Sequence, residues 1–486
     1  MEEKNYKNAT ISSMFWKFGE RVGAQLVSTI VSIILARLLV PDDYGVVGII
    51  GIFFAFANIF ISGGFNAALI QKKDADVEDY SSVLFISLGS AICVYLLLFF
   101  LAPLIANLYD KQILVPIIRV MGITLFINAF RSIISAYISS KMQFKKYFLS
   151  TILGTIFSAA VGIYMALKGF GPWALVGQQM TNAIIGTAIL YITTRVKFVF
   201  RFSKHKAKGL FSYGWKILVA SGISVLYDEI NPLIIGIRYS SADLAFYSKG
   251  KSFPGLINTS LSDTLASVLF PVMSKFQDDK VALLNYTRNY MKVASFVIFP
   301  IMIGFLAVAE NFVIVLLTEK WLPAMIYIQI FCIVYAFNMI QTGNLQVIRA
   351  LGRSDIILKL EIIKKSLYFI VILLFVLLST SPVYLAIACI VNTIIATIVN
   401  TIPNRKLLKY KYSMQISDLL LNFTISLIMG VAVYFMGFLK INIYFLFALQ
   451  ILTGVALYVL LNIIIRNPSM KYFISSVKGF ISKKGR

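Results

Sequence analysis

Between Ser212 and Asp278, two long apolar runs carry their polar residues at helical intervals. In the first, Ser212 to Arg238, the residues Ser221, Ser224, Asp228 and Asn231 follow steps of three, four and three, which gathers them on one helix face. In the second, Asp243 to Pro271, Lys251, Gly255, Asn258 and Ser262 follow steps of four, three and four. Each run therefore predicts a helix with one wet side, and together they read as half of a transport cavity. A ruler of about 20 apolar residues per crossing marks about fourteen spans along the chain, from Ile11 to Ala36 at the start to Ile443 to Ile465 at the end. The first span repeats the pattern: Lys17, Arg21, Gln25, Ser28 and Ser32 form one polar line, and Asn58, Ser62 and Asn66 recur at every fourth place in the second.

Charge turns this count into a topology. Cytoplasmic loops collect Lys and Arg, and here every second loop does so: Lys72 and Lys73, then Lys141, Lys145 and Lys146, then the block from Arg195 to Lys208, and so on to the basic tail. The intervening loops hold at most one cation each, such as Lys111 or Lys320. Both termini are thus expected in the cytoplasm, with an even number of spans. The start, Met1 to Thr10, is polar and carries no short apolar core with a small-residue cleavage site, so the first span is expected to be its own address.

Composition narrows the chemistry. With 59% hydrophobic and 14% charged residues over 486 positions, the chain belongs in a bilayer. Cys93, Cys332 and Cys389 lie singly in apolar runs and His205 is the one histidine, which leaves no metal site, disulfide framework or cofactor motif to build on. The net charge of +24 sits in short loops and reads as orientation, not as a nucleic-acid surface.

Internal similarity organises the spans. ARLLVPDDYG, from Ala36, is answered about 200 residues later by IRYSSADLAFY, from Ile237; ALIQKKDAD by LFPVMSKFQDD; LYDKQILVP by LTEKWLP. The expected architecture is an all-α integral membrane protein of about fourteen helices. It comprises an N-lobe at 1–193, a basic cytoplasmic linker at 194–212, a C-lobe at 213–403, and two further helices with a basic tail at 404–486. Six spans per lobe give both lobes one orientation and a pseudo-twofold along the membrane normal.

The candidate cavity residues are Arg21, Gln25, Asn58, Lys249, Lys251 and Asn258. Lys249 and Lys251 are about 200° apart on a helix, so one at most points squarely into a cavity, and the spacing to Asn258 favours Lys251. Asp228, Glu229 and Glu310 are candidates for ion coupling or for interhelical ion pairs. Against these stands a plainer use of the same residue types: Ser, Asn and Gln join helices, and charges near a span's end snorkel. Arg119 and Arg131 in the fourth span are ambiguous on that ground.

LARLLVPDDYG at Leu35 to Gly45, ALIQKK at Ala68 to Lys73, GFGPWALV at Gly169 to Val176, AFYSKGKSFPGL at Ala245 to Leu256, VLFPVMSKFQDD at Val268 to Asp279 and ALGRSDIILKLEIIKK at Ala350 to Lys365 together resemble the polysaccharide exporters of the Wzx flippase type. The resemblance covers spans one to twelve. It implies a two-lobed carrier in the bacterial cytoplasmic membrane that moves undecaprenyl-diphosphate-linked oligosaccharide by alternating access through a cationic cavity, and it implies polysaccharide polymerase and export machinery as partners. No nucleophile, base or metal is needed, because no covalent bond changes. A membrane glycan polymerase would need a catalytic constellation and a sizeable outer loop. A multidrug antiporter of the same superfamily would favour acidic residues in the first lobe, where the buried charges are mostly Arg and Lys. A lipid II flippase is the nearer rival, separated by the loop motifs.

Overall fold

In hydrocarbon an unpaired peptide group costs several kcal/mol, so a chain this apolar closes its backbone hydrogen bonds within helices. The computed structural model of the protein describes residues 23–62, 64–72, 75–141, 143–199, 201–378 and 380–475, and no strand occurs among them. Ten helices among the described residues are long and apolar enough to cross a membrane. The chain divides into two compact units, Met1–Ala245 and Phe246–Arg486.

The first unit holds α1 (Gly23–Leu38), α2 (Pro41–Ser62), α3 (Phe65–Gln71), α4 (Val77–Leu108), α5 (Leu114–Met121), α6 (Ile123–Ser140), α7 (Phe144–Leu167), α8 (Pro172–Thr194) and α9 (Lys204–Arg238). The span Leu114–Ser140 is interrupted between α5 and α6 at Gly122, where a Cβ would strike the Tyr95 ring of α4. Asp76 and Asp79 start α4 with a reciprocal capping box, at 2.9 and 3.1 Å. A seam of small residues lets α7 and α8 approach backbone to backbone: a Cβ at Gly154 would lie 3.3 Å from the Cα of Gly186, and Ser150 Oγ donates to the Gly186 carbonyl at 2.6 Å.

Two close crossings tie α9 and the residues after it to α2 and α3. At one end a Cβ on Gly64 would collide with the Gly214 backbone, and at the other a Cβ on Gly45 would collide with that of Ser241. Asp42 completes the second crossing: it accepts from Lys111 Nζ at 2.8 Å and from Ser241 Oγ. The segment between α8 and α9 lies along the start of α4. Val199 and Ser203 donate their amides to Ser81 and Ser82, and Lys206 Nζ reaches Asp76 and Glu78, each at 2.6 Å.

The similarity between Ala36 and Ile237 has a local structural counterpart. Asp43 Oδ2 accepts the Val40 amide at 3.2 Å ahead of α2, and Asp243 Oδ2 accepts the Ser240 amide at 3.2 Å ahead of α10 (Ser241–Lys275). The same carboxylate cap thus starts two helices 200 residues apart, as the difference 243 − 43 gives.

The second unit holds most of α10, then α11 (Lys280–Ala307) and the short α12 (Ala309–Phe312). A π turn (Val313–Leu317) and a 3-10 turn (Glu319–Trp321) follow, then α13 (Ala324–Ala350), α14 (Ser354–Leu378), α15 (Val383–Leu407), α16 (Tyr412–Met436) and α17 (Ile443–Ile464). Polar side chains lock α16 onto its neighbours. Arg288 of α11 grips Asp418 of α16 with two bonds of 2.8 Å, Tyr410 Oη adds a third at 2.9 Å, and Lys292 stands 3.4 Å away. Asn344 of α13 bonds Gln415 of α16, and Asn404 of α15 donates to both oxygens of Asn344.

Candidate functional site

The polar face expected on α9 is where the first unit departs from ordinary packing. Of its most apolar stretch 11% is buried, against 56% for Pro41–Gln71, so α9 is open over a wide arc. Two lines run side by side along that arc. Trp215, Val219, Ile223 and Leu226 form an exposed apolar line suited to lipid, while Lys216, Ala220, Ser224 and Asp228 form an exposed line of charged, small and polar residues at every fourth position. A charge at mid-span costs about 2.5–3.5 kcal/mol on insertion scales, so the second line faces water or a ligand and not hydrocarbon. Ser221 and Glu229 are half-buried further round the helix. Neither Asp228 nor Glu229 is without an interaction.

The other expected site residues of the first unit fall in different places. Arg21, like Lys17, lies outside the described residues. Gln25 is half-buried on α1, and its carbonyl accepts from Thr29 Oγ1 at 2.8 Å. Asn58 is half-buried and engaged twice: its Nδ2 donates to the Phe54 carbonyl at 2.7 Å, and its Oδ1 accepts from Asn128 of α6 at 3.1 Å. Asn128 had no periodic signal, because its partner is 70 residues away.

In the second unit Lys249 and Lys251 differ as their angular separation demands. Lys249 is buried with its Nζ 5.9 Å above the ring of the fully buried Trp321, whereas Lys251 is half-buried. Asn258 is buried and accepts from Ser262 Oγ at 3.1 Å, which confirms that the two share a face. Glu310 is exposed in α12, beside Asn311, which donates to Gln450 at 2.7 Å. Sequence reasoning passed over Arg288 and Asp418. A lone Asp in an otherwise apolar span was the signal.

A third polar region surrounds the start of α4. Lys72 pairs with the fully buried Asp79 at 2.6 Å, and a cavity of about 380 Å³ opens beside it, lined by Ala68, Gln71, Lys72, His205, Lys206 and Leu210 among others. The hydrogen bond from Lys206 holds the Asp76 carboxyl at about 2, below the usual carboxylate range. With carboxylates already on both lysines, this cavity has little cationic charge to spare. No group of three or more His, Cys, Asp or Glu side chains gathers among the described residues, so no ligand set for a metal is at hand.

The arrangement has known counterparts. The backbone matches the lipid II flippase MurJ in an inward closed conformation with a TM-score of 0.76 at 16% identity, over 94% of this chain and 99% of that one. It also matches an inward-facing multidrug resistance MATE family transporter of the MOP superfamily, with a TM-score of 0.61 at 15% identity, over 79% of this chain and 96% of that one. At such identities the likeness is one of fold: this is a multi-pass helical membrane protein built like the MOP transporters. Residues 34–326 match the family model described as polysaccharide biosynthesis protein, and the chain belongs to that family. Among curated relatives, the succinoglycan biosynthesis transport protein of Rhizobium meliloti (strain 1021) is 24% identical over 309 residues. The teichuronic acid biosynthesis protein TuaB of Bacillus subtilis (strain 168) is 24% identical over 306. These matches span 63% and 62% of this chain, and 62% and 63% of the relatives' own length. The resemblance to polysaccharide exporters drawn from the loop motifs is thereby borne out.

Proposed function

We propose that the protein flips undecaprenyl-diphosphate-linked oligosaccharide across the bacterial cytoplasmic membrane by alternating access, for polysaccharide biosynthesis, and passes it to polymerase and export machinery. The observation that carries this reading is the exposed polar line of α9 at membrane depth, beside a lipid-facing apolar line. A glycan diphosphate loses its hydrogen bonds on entering hydrocarbon, and side chains that stay open to water replace them. Arg21, Gln25 and Lys251 are assigned to the charged and polar head, with charge-assisted bonds to phosphate as the strong contacts. The lipid tail stays in the bilayer. Membership of the polysaccharide biosynthesis family supports the glycan, and the MOP fold supports the carrier.

In this reading fourteen helices cross. The ten above are joined by Gly23–Leu38, Pro172–Thr194, Ser241–Lys275 and Ser354–Leu378, with both termini and the basic segment before α9 in the cytoplasm. The test is depletion in the host followed by analysis of the lipid-linked glycans that accumulate. The expected species is an oligosaccharide on undecaprenyl diphosphate; accumulation of lipid II instead would replace this substrate by the alternative one. Arg21→Ala and Lys251→Ala are expected to stop export at near-normal protein abundance, and normal export by both would remove these residues from the site.

A further inference from the structure

The exposed apolar line of α9 does not stop at Trp215. Followed back toward the start of the helix, the same face runs through Phe211 and Lys208 to Lys204, at steps of four, four and three, and all four side chains are exposed. The stripe is graded along its length. Two ammonium groups come first, then two aromatic rings, then aliphatic side chains as far as Leu226. From Trp215 to Leu226 is about 17 Å along the axis, close to half of a ~30 Å hydrocarbon core and so to the depth of one leaflet.

The segment ahead of α9 adds cations at the same end. From Arg195 to Arg201 the chain is not helical and its side chains alternate. Val196 is buried in a cluster with Ile134, Ile138 and Leu190, and Phe198 packs against that cluster, whereas Arg195, Lys197, Val199 and Arg201 are exposed. The amide bonds from Val199 to Ser81 and from Ser203 to Ser82 hold this edge in place. Nearby carboxylates do not neutralise it: Asp79 is taken by Lys72, and Asp76 and Glu78 by Lys206. Among the described residues, none of Arg195, Lys197, Arg201, Lys204 and Lys208 has an ion pair.

Surplus cations alone would mark only a solvated surface. Their continuity with a lipid-facing line is what selects an occupant. An acidic protein would match the cations but not the aliphatic run, whereas a phospholipid with a negative headgroup matches cations, aromatic rings and aliphatic run together. We infer that this face of α9 and the exposed edge before it form a docking surface for an anionic phospholipid. The headgroup phosphate lies at Lys204 and Lys208, the glycerol level at Phe211 and Trp215, and an acyl chain along Val219 and Ile223, with Arg195, Lys197 and Arg201 adding attraction at the headgroup level. This rests on the membrane placement of α9 proposed above and not on the glycan.

The test uses the full-length protein in nanodiscs of phosphatidylcholine doped with phosphatidylglycerol, with either lipid brominated near the glycerol end of its chains. Quenching of Trp215 is read as the difference between each protein and its Trp215→Phe counterpart. Brominated phosphatidylglycerol is expected to quench severalfold more than brominated phosphatidylcholine at equal lipid fraction. The combined change of Arg195→Gln, Lys197→Gln, Arg201→Gln, Lys204→Gln and Lys208→Gln is expected to abolish that preference. Should it fail to fold, Lys204→Gln with Lys208→Gln serves in its place and is expected to lose more than half of it. As a control, Arg405→Gln, Lys406→Gln, Lys409→Gln and Lys411→Gln in the second unit are expected to leave the preference unchanged. Equal quenching by the two lipids in the wild type would overturn the docking surface, as would a preference that survived the loss of Lys204 and Lys208 or that fell equally in the control. A protein that preferred phosphatidylglycerol at Trp215 but exported no glycan would lose the proposed function and keep this surface; glycan export with no such preference would do the reverse.

Discussion

α9 and α16 carry the same kinds of polar residue within apolar spans and use them in opposite ways. On α16, Gln415, Asp418 and Asn422 are buried, and each is bonded to a neighbouring helix. On α9, Lys216, Ser224 and Asp228 are exposed along one line. Spacing does not separate the two cases: residues 415, 418 and 422 follow steps of three and four, as do 221, 224 and 228. What separates them is burial. A polar stripe packed among helices is an attachment, and one that stays exposed is a surface for water or substrate.

The comparison breaks most visibly at Asp418. Its side chain is 2% exposed and balances Arg288 and Lys292, so Asp418→Ala leaves two cations without their carboxylate, at a cost of about 3 kcal/mol. The expected outcome is a drop in thermal stability and in folded protein. A variant as stable as wild type would show that α16 is held by its apolar contacts alone.

A smaller loss is expected at Asn404, which is fully buried and donates to Asn344 at 3.0 and 2.7 Å. Asn404→Leu removes one donor from the Asn344 carbonyl and one from its side-chain oxygen, which keeps Gln415 Nε2 at 3.3 Å, and should cost about 1 kcal/mol. Thermal unfolding of the purified protein measures it. Asn404→Leu combined with Asn344→Leu is expected to be less stable still, because Asn344 also bonds the buried Gln415 and Thr401.

On α9 the expectation reverses. Ser224 is exposed and bonds only within its own helix, to the Ala220 carbonyl at 3.0 Å, so Ser224→Leu should change stability by less than about 0.5 kcal/mol. It turns part of the polar line into an apolar one, and glycan export in cells is expected to fall severalfold at unchanged abundance. Unchanged export would mean that the line faces lipid headgroups or packing partners and not the substrate path.

How much of this was legible depends on sequence distance. Helical period exposed the faces of α9 and α10 because the residues concerned lie within a few turns of one another, and the loop motifs identified the family. Asn58–Asn128, Arg288–Asp418 and Gly64–Gly214 were illegible because each joins residues 70 or more positions apart, and a single chain says nothing about which distant groups meet. The glycine at 122, between α5 and α6, has a reason that is likewise tertiary: the Tyr95 ring of α4 lies where a Cβ would be.

The smallest effect expected is at the staple that holds the segment before α9 against the start of α4. Lys206 bonds Asp76 and Glu78 at 2.6 Å, but Asp76 is exposed and Lys206 and Glu78 are half-buried, and pairs that water reaches contribute little. The Asp76 carboxyl is lowered to about 2, foremost by the Lys206 hydrogen bond, and the Lys206 ammonium is raised by the same pair of carboxylates. A lowered carboxylate contributes its stabilisation above its ordinary value of about 3.9 and loses it as pH falls through about 2. A raised ammonium contributes below its ordinary value of about 10.4 and loses it only as pH climbs through the raised one. Between about pH 4 and pH 10 the staple is therefore closed, and salt is what loosens it, since screening shortens from about 10 Å at 0.1 M to about 3 Å at 1 M. Lys206→Ala should lower the melting temperature slightly at low salt, by the same amount at pH 5.5 and pH 8.5, with the difference vanishing at 1 M salt. A difference that persisted at high salt would mean that Lys206 holds the segment through its aliphatic stem, not through charge.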